Sequence, residues 1–237
     1  MEFDWSEQSP HIRTLYRAWQ VGDGYDEATI QAAEAKLGTR LPTTLRSFYA
    51  AWGRRHDMTR LCEHLLAPDE LRITPDALIC CVENQAVMYW AVRREALGEA
   101  DPPVSYADTL AWDGEEPVLG PWRASHPRVS CFLDDLTYKH AFGGGAVHGG
   151  SSRRVRPEQR HVEWLEQHWR QAAVTPMFRS QEPDTPDTPD EVLLGSPLYV
   201  REGQAVLWFL QFDAVTREAE ALDEIGEALG ATWEQRW

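Results

Sequence analysis

Residues 29–53 read TIQAAEAKLGTRLPTTLRSFYAAWG, and two short runs of helical spacing meet there at Leu41-Pro42. In the first, Ile30, Ala33 and Leu37 fall on one stripe, Asp26 stands where a side chain can cap the helix, and Gly38 can end it. In the second, Leu41, Leu45, Phe48, Tyr49 and Trp52 recur at i, i+4, i+7, i+8 and i+11, a broad apolar stripe. Pro42 opens that helix where its missing N–H costs nothing. So tight a pair presses one apolar face onto something larger.

The larger element is expected to be a sheet. Residues 78–93, LICCVENQAVMYWAVR, read as two strands rich in β-branched and aromatic residues, joined near Glu83-Asn84-Gln85. A turn-rich stretch follows, marked by Asp101-Pro102-Pro103, Asp113-Gly114 and Gly120-Pro121, within which Val118-Leu119 can add a further strand. Upstream, Ser9-Pro10 opens a helix carrying Ile12, Leu15, Tyr16 and Trp19, which Gly22-Asp23-Gly24 ends. Downstream, residues 129–142 read as a helix with Phe132, Leu133, Leu136 and His140 near one side. Residues 143–152, GGGAVHGGSS, read as a flexible loop, and 157–173 as a helix with Val162, Leu165, Trp169 and Ala172 in phase.

The division expected from this pattern is a main domain over residues 1–175, a linker over 176–192 and an extension over 193–237. The linker contains the repeat EPDTPDTPDE, too poor in apolar residues to order itself. The extension reads as a hairpin about Glu202-Gly203 and a final helix carrying Ala219, Leu222, Ile225 and Leu229. It is too small for a core of its own, so it is expected to pack back on the main domain.

With 43% hydrophobic and 26% charged residues, the 237-residue chain is that of a soluble globular protein. It has no apolar run of membrane-spanning length, and its acidic first residues, MEFDWSEQSP, do not resemble a signal peptide, so a cytoplasmic protein is expected. The four cysteines (Cys62, Cys80, Cys81, Cys131) have neither zinc-ligand nor disulfide-framework spacing and read as small buried hydrophobes. The formal charge is −15, of which residues 176–237 hold −9. Such a field disfavours nucleic acid and anionic membranes and favours a basic partner.

No active site assembles from the motifs. The glycine-rich loop at 143–150 follows a helix rather than a strand and lacks the Lys-Ser/Thr pair of a phosphate-binding loop. There is no G-x-S-x-G nucleophile elbow. His161 and His168 can share a helix face but have no metal-ligand spacing, so neither metal nor cofactor is expected. The pairs Asp134-Asp135 and Glu115-Glu116 read as solvated surface. Glu83, Gln85 and Trp90 mark a candidate cleft, and a deep pocket converging on Glu83, Gln85 and a histidine is the arrangement that would favour an enzyme.

One constellation suits binding. Glu95, Glu99, Asp101, Asp108, Asp113, Glu115 and Glu116 fall within 22 residues that hold no Lys or Arg, with Tyr106, Trp112 and Trp122 interleaved or close by. Aromatic anchors rimmed by one sign of charge fit a protein interface with a cationic partner.

The order of short motifs resembles the SUKH superfamily of bacterial immunity proteins. It runs I-x-x-x-E-x-x-L-G-x-x-L-P from Ile30 to Pro42, then Leu45 to Tyr49, Trp52-Gly53, and Ala67-Pro68-Asp69-Glu70-Leu71. Glu83-Asn84-Gln85, Trp90-Ala91-Val92, Asp101-Pro102-Pro103-Val104, Trp112 and Ser130-Cys131-Phe132-Leu133 follow. The match covers about residues 26–145. It departs from the family at Trp52-Gly53, where Asn-Gly is frequent, and beyond residue 175. The resemblance implies an α+β fold, with N-terminal helices packed on a mostly antiparallel sheet. It also implies a non-enzymatic cytoplasmic protein that binds a cognate polymorphic toxin, often a basic nuclease, and holds it inactive. The alternative is a regulatory scaffold of the same fold that binds a cellular protein. Oligomeric state and the identity of the toxin are not written in these motifs.

Overall fold

The structure, a computed structural model, describes residues 5, 15–61, 63–114, 116–152, 158–172, 177–179, 193–195, 198–201, 204–208, 212–216, 218–233 and 235–236. The fold is α+β, with every paired strand antiparallel. The chain divides into two compact units: residues 1–13 with 18–145, and residues 14–17 with 146–237.

In the first unit the helix pair is as the spacing requires. α1 (Glu27–Leu37) starts where the Asp26 carboxylate accepts from the Thr29 N–H at 2.7 Å and stops at Gly38 in the left-handed region. α2 (Thr43–Trp52) buries Leu45, Phe48, Tyr49 and Trp52. The joint at Leu41-Pro42 is pinned by α1 itself, because Glu34 accepts from the Leu41 N–H at 3.0 Å and pairs with Arg46 of α2. Gly53 is needed for close approach: a Cβ there would sit 2.7 Å from the Tyr25 ring. A short helix α3 (His56–Thr59) follows, with the buried Arg55 side chain donating to Asp57.

The sheet of this unit has seven strands: β1 (Glu63–Leu65), β2 (Arg72–Ile73), β3 (Ala77–Glu83), β4 (Met88–Arg93), β5 (Val104–Asp113), β6 (Glu116–Leu119) and β7 (Arg123–His126). The order is β1-β3-β4-β5-β6, with β2 also on β3 and β7 also on β5. Cys80 is the extra residue of a register shift in β3, and both Cys80 and Cys81 are buried; desolvation pushes the Cys80 thiol up to about 12. α4 (Val129–His140) packs Phe132 against Trp90 of β4, the ring centroids 6.1 Å apart. The expected helix starting at Ser9-Pro10 lies mostly outside the described residues, although Leu15 and Tyr16 are buried.

The second unit corrects the expected division. Its six-stranded sheet has the order β15-β8-β14-β13-β12-β9. The strands are β8 (His148–Ser152), β9 (Arg170–Gln171), β12 (Leu198–Arg201), β13 (Gln204–Trp208), β14 (Phe212–Thr216) and β15 (Gln235–Arg236). The glycine-rich stretch read as a loop therefore supplies β8, paired on both sides. Its glycines admit the neighbours: a Cβ on Gly150 would lie 3.0 Å from the Trp233 ring and 3.2 Å from Leu222. The boundary consequently falls after Gly145, not after residue 175, and the extension shares a core with residues 165 and 169 rather than needing one of its own.

α5 (Gln159–His168) stops one residue before Trp169, which is extended and buried, and α6 (Ala219–Leu229) buries Leu222, Ile225 and Leu229 but not Ala219. The hairpin about residues 202–203 is present, with Arg201 opposite Gln204. At the start of the expected linker, β10 (Met177–Arg179) pairs with β11 (Leu193–Gly195) at the start of the expected extension; the D-T-P repeat lies outside the described residues.

Candidate functional site

The strand β5 carries the candidate surface. Its first half, residues 104–108, is held on one edge by β4, and residues 104–106 are held on the other by β7. Its second half pairs only with β6, after a register shift at Leu110. Glu116 on β6 comes within 3.9 Å of Arg72 on β2, which lies beyond β4 and β3 in the strand order. The β5–β6 hairpin therefore bends back across the sheet instead of continuing in its plane, as a bulge allows. Leu110, Trp112 and Val118 stand on it at 67%, 52% and 44% exposure.

The acidic run does not form the uniform anionic face that its sequence promised. Asp101 is a cap for α4, accepting from the Ser130 N–H at 2.9 Å and from the Ser130 hydroxyl at 2.6 Å. Arginines from other parts of the sheet pair with three of the remaining six. Arg93 lies 3.6 Å from Glu95 and over the Trp122 ring; Arg123 lies 3.5 Å from Asp108 and over Tyr106; Arg72 faces Glu116. Glu99 and Asp113 remain as exposed acids with no ion pair among the described residues, and Glu115 lies outside them. Of the two expected tryptophan anchors, Trp112 is exposed and Trp122 is half-buried under Arg93.

The cleft at Glu83, Gln85 and Trp90 does not form. The Glu83 carboxylate accepts from the Gln85 N–H at 2.7 Å and closes the β3–β4 turn, Gln85 faces solvent, and Trp90 is buried against Phe132.

Sequence reasoning missed a buried polar chain around α4. Asp135, read as surface, is buried; its Oδ2 lies 3.2 Å from His126 Nε2 and 3.2 Å from Lys139 Nζ. Lys139 also reaches Glu63 at 3.4 Å, and Glu63 lies 3.9 Å from His140 Nε2. Burial alone would push the Lys139 ammonium down, but Asp135 and Glu63 outweigh it and hold it above the usual lysine range. Burial pushes the His140 imidazole below its ordinary value, against the smaller opposing effects of the Met58 backbone and of the charge and backbone of Glu63. The other ring nitrogen of His126, Nδ1, lies 2.8 Å from the Ser125 hydroxyl. This resembles an activated serine only in outline, because Asp135 is shared with a cation and Phe132 packs on the His126 ring at 5.4 Å. Its evident work is to tie α4 to β1 and β7. The clue was Asp135 and Lys139 at i, i+4, with Asp135 between Phe132 and Leu136 in helix phase. His161 is also buried and caps α5 by accepting from the Glu158 N–H at 3.0 Å.

Among the described residues no group of three or more His, Cys, Asp or Glu side chains could hold a metal ion, and no helix is long and apolar enough to cross a membrane. Compared with protein-family models, curated proteins and solved structures, the chain matches none.

Proposed function

We propose that this chain is a protein-docking module that engages its partner through the β5–β6 hairpin, and that it acts as an immunity protein holding a cognate toxin inactive. The observation that carries the docking is the exposure of Leu110, Trp112 and Val118 together on one two-stranded ribbon. Exposed apolar side chains clustered around a tryptophan, with ion pairs at their margin, have the composition of an interface centre and its rim. Support for the toxin as partner is the SUKH-like order of motifs over residues 26–145 and the net charge of −15, which favours a basic protein by long-range attraction. Local charge contributes less than the sequence suggested, so the partner's fit to the apolar hairpin is the main source of affinity. The test is co-expression with a toxin domain encoded beside this chain, followed by purification and a toxicity assay. A stable complex and restored growth are expected. A toxin that stays active and purifies without this chain would overturn the immunity reading.

A further inference from the structure

We propose that the hairpin of residues 109–119 is a hinged flap, opening as a unit while the rest of the first sheet stays closed. No described residue from Thr109 to Leu119 is buried, so the hairpin has no core, and a two-stranded ribbon alone is marginal in water. Its strands leave the sheet at one level. On β5 the register shifts at Leu110; on the return strand Gly120 follows Leu119, and its N–H donates to Asp108 O at 2.8 Å. A last pair of bonds, from the Thr109 N–H to Val87 O at 2.9 Å and from the Thr109 hydroxyl to Ala86 O at 2.7 Å, fixes the base of the hinge.

Beyond that base, the tip is held over the sheet by the ion pair of Arg72 and Glu116, 3.9 Å apart with both side chains largely exposed. Such a pair is weak and screened by salt. Tyr89 is buried close to it. Burial raises the phenol's pKa, with Arg72 lowering and Glu116 raising it in turn, which puts both charges near the ring. Opening uncovers Tyr89 and its register partner Ala107 and carries Trp112 outward with the ribbon. The hinge does not depend on the hairpin being a docking surface, so failure of either idea leaves the other standing.

Hydrogen exchange read by mass spectrometry on the full chain tests it. Amides of residues 110–119 should exchange on the order of a hundredfold faster than those of 88–93, and sub-denaturing urea should leave their rate unchanged, because local opening exposes little surface. Glu116→Gln removes the latch charge without touching the hinge. It should speed exchange across the hairpin by about 2–5-fold, as should ~1 M salt, with 88–93 unaffected. Hairpin amides that exchange within a few-fold of residues 88–93 would overturn the proposal. So would fast hairpin exchange indifferent to both Glu116→Gln and salt, since the ribbon would then be frayed throughout and not a latched flap.

Discussion

The two halves of β5 have similar sequences and opposite roles. Val104–Asp108 reads VSYAD and Thr109–Asp113 reads TLAWD; each is apolar, small and aromatic residues with one terminal acid. The first half lies beside Trp90 and its neighbours on β4, burying Val104 and Ala107; the second presents Leu110 and Trp112 to solvent. Residue type does not separate them. What separates them is the number of strands alongside, two against one, and the bulge between. An aromatic residue in a strand becomes core or anchor according to whether its neighbours continue past it.

This contrast can be broken first at its buried side. Trp90→Ala, opposite Tyr106 in the first half, should cost about 3–5 kcal/mol in urea or guanidinium unfolding. A loss below ~1 kcal/mol would mean that this half is no more a core than the other. Trp112→Ala should do the reverse. It should change stability by less than ~0.5 kcal/mol while weakening partner binding by about 2 kcal/mol, mainly through faster dissociation. Equal losses of stability from the two substitutions would erase the distinction between the halves.

Smaller is the pH effect at the α4 clamp beneath the buried half. Burial holds His140 neutral when folded, while the unfolded imidazole takes up a proton near its ordinary value of about 6.5. The unfolded state then binds more protons, so His140 removes stability as pH falls below about 6.5 and has no effect well above it. His140→Phe should flatten the decline of the urea midpoint between pH 7 and 5.5; an unchanged slope would show that the group is not buried neutral. Smallest is Asp113→Lys at the ribbon's tip. With Glu116, Asp108 and Glu95 already matched by arginines, association should slow by less than ~3-fold at low salt and stability should not move. A tenfold slowing would restore the acidic run as a steering surface.

What was legible in the sequence was local. The helix pair, the strands around residues 83–85, the hairpin about 202–203 and the buried Cys80 and Cys81 all follow from periodicity, caps and turns within a few residues. What was not legible depended on distant partners. β8 is Gly and Ser where strands favour bulk, because Trp233 and Leu222 fill the space its side chains leave. Asp135 looked like surface because Lys139 and His126, which make its burial tolerable, come from another turn and another element. Trp112 was legible as an aromatic near acids; that Arg72, Arg93 and Arg123 would meet those acids was not, since each sits on a strand or turn outside the run.

The placement of β8 also sets a timetable for the chain on the ribosome. In the first unit β3, β4, β5 and β6 pair as consecutive neighbours, so each strand has its partner almost as soon as it emerges. In the second unit β8 is the first strand in sequence, yet its partners are β14 and β15, and the outermost of them is Gln235–Arg236. At ordinary elongation rates that wait is roughly 5–20 s, during which a glycine-rich strand has both edges open. The first unit can be finished while residues 146–236 are still being made, whereas the second must wait for Gln235–Arg236.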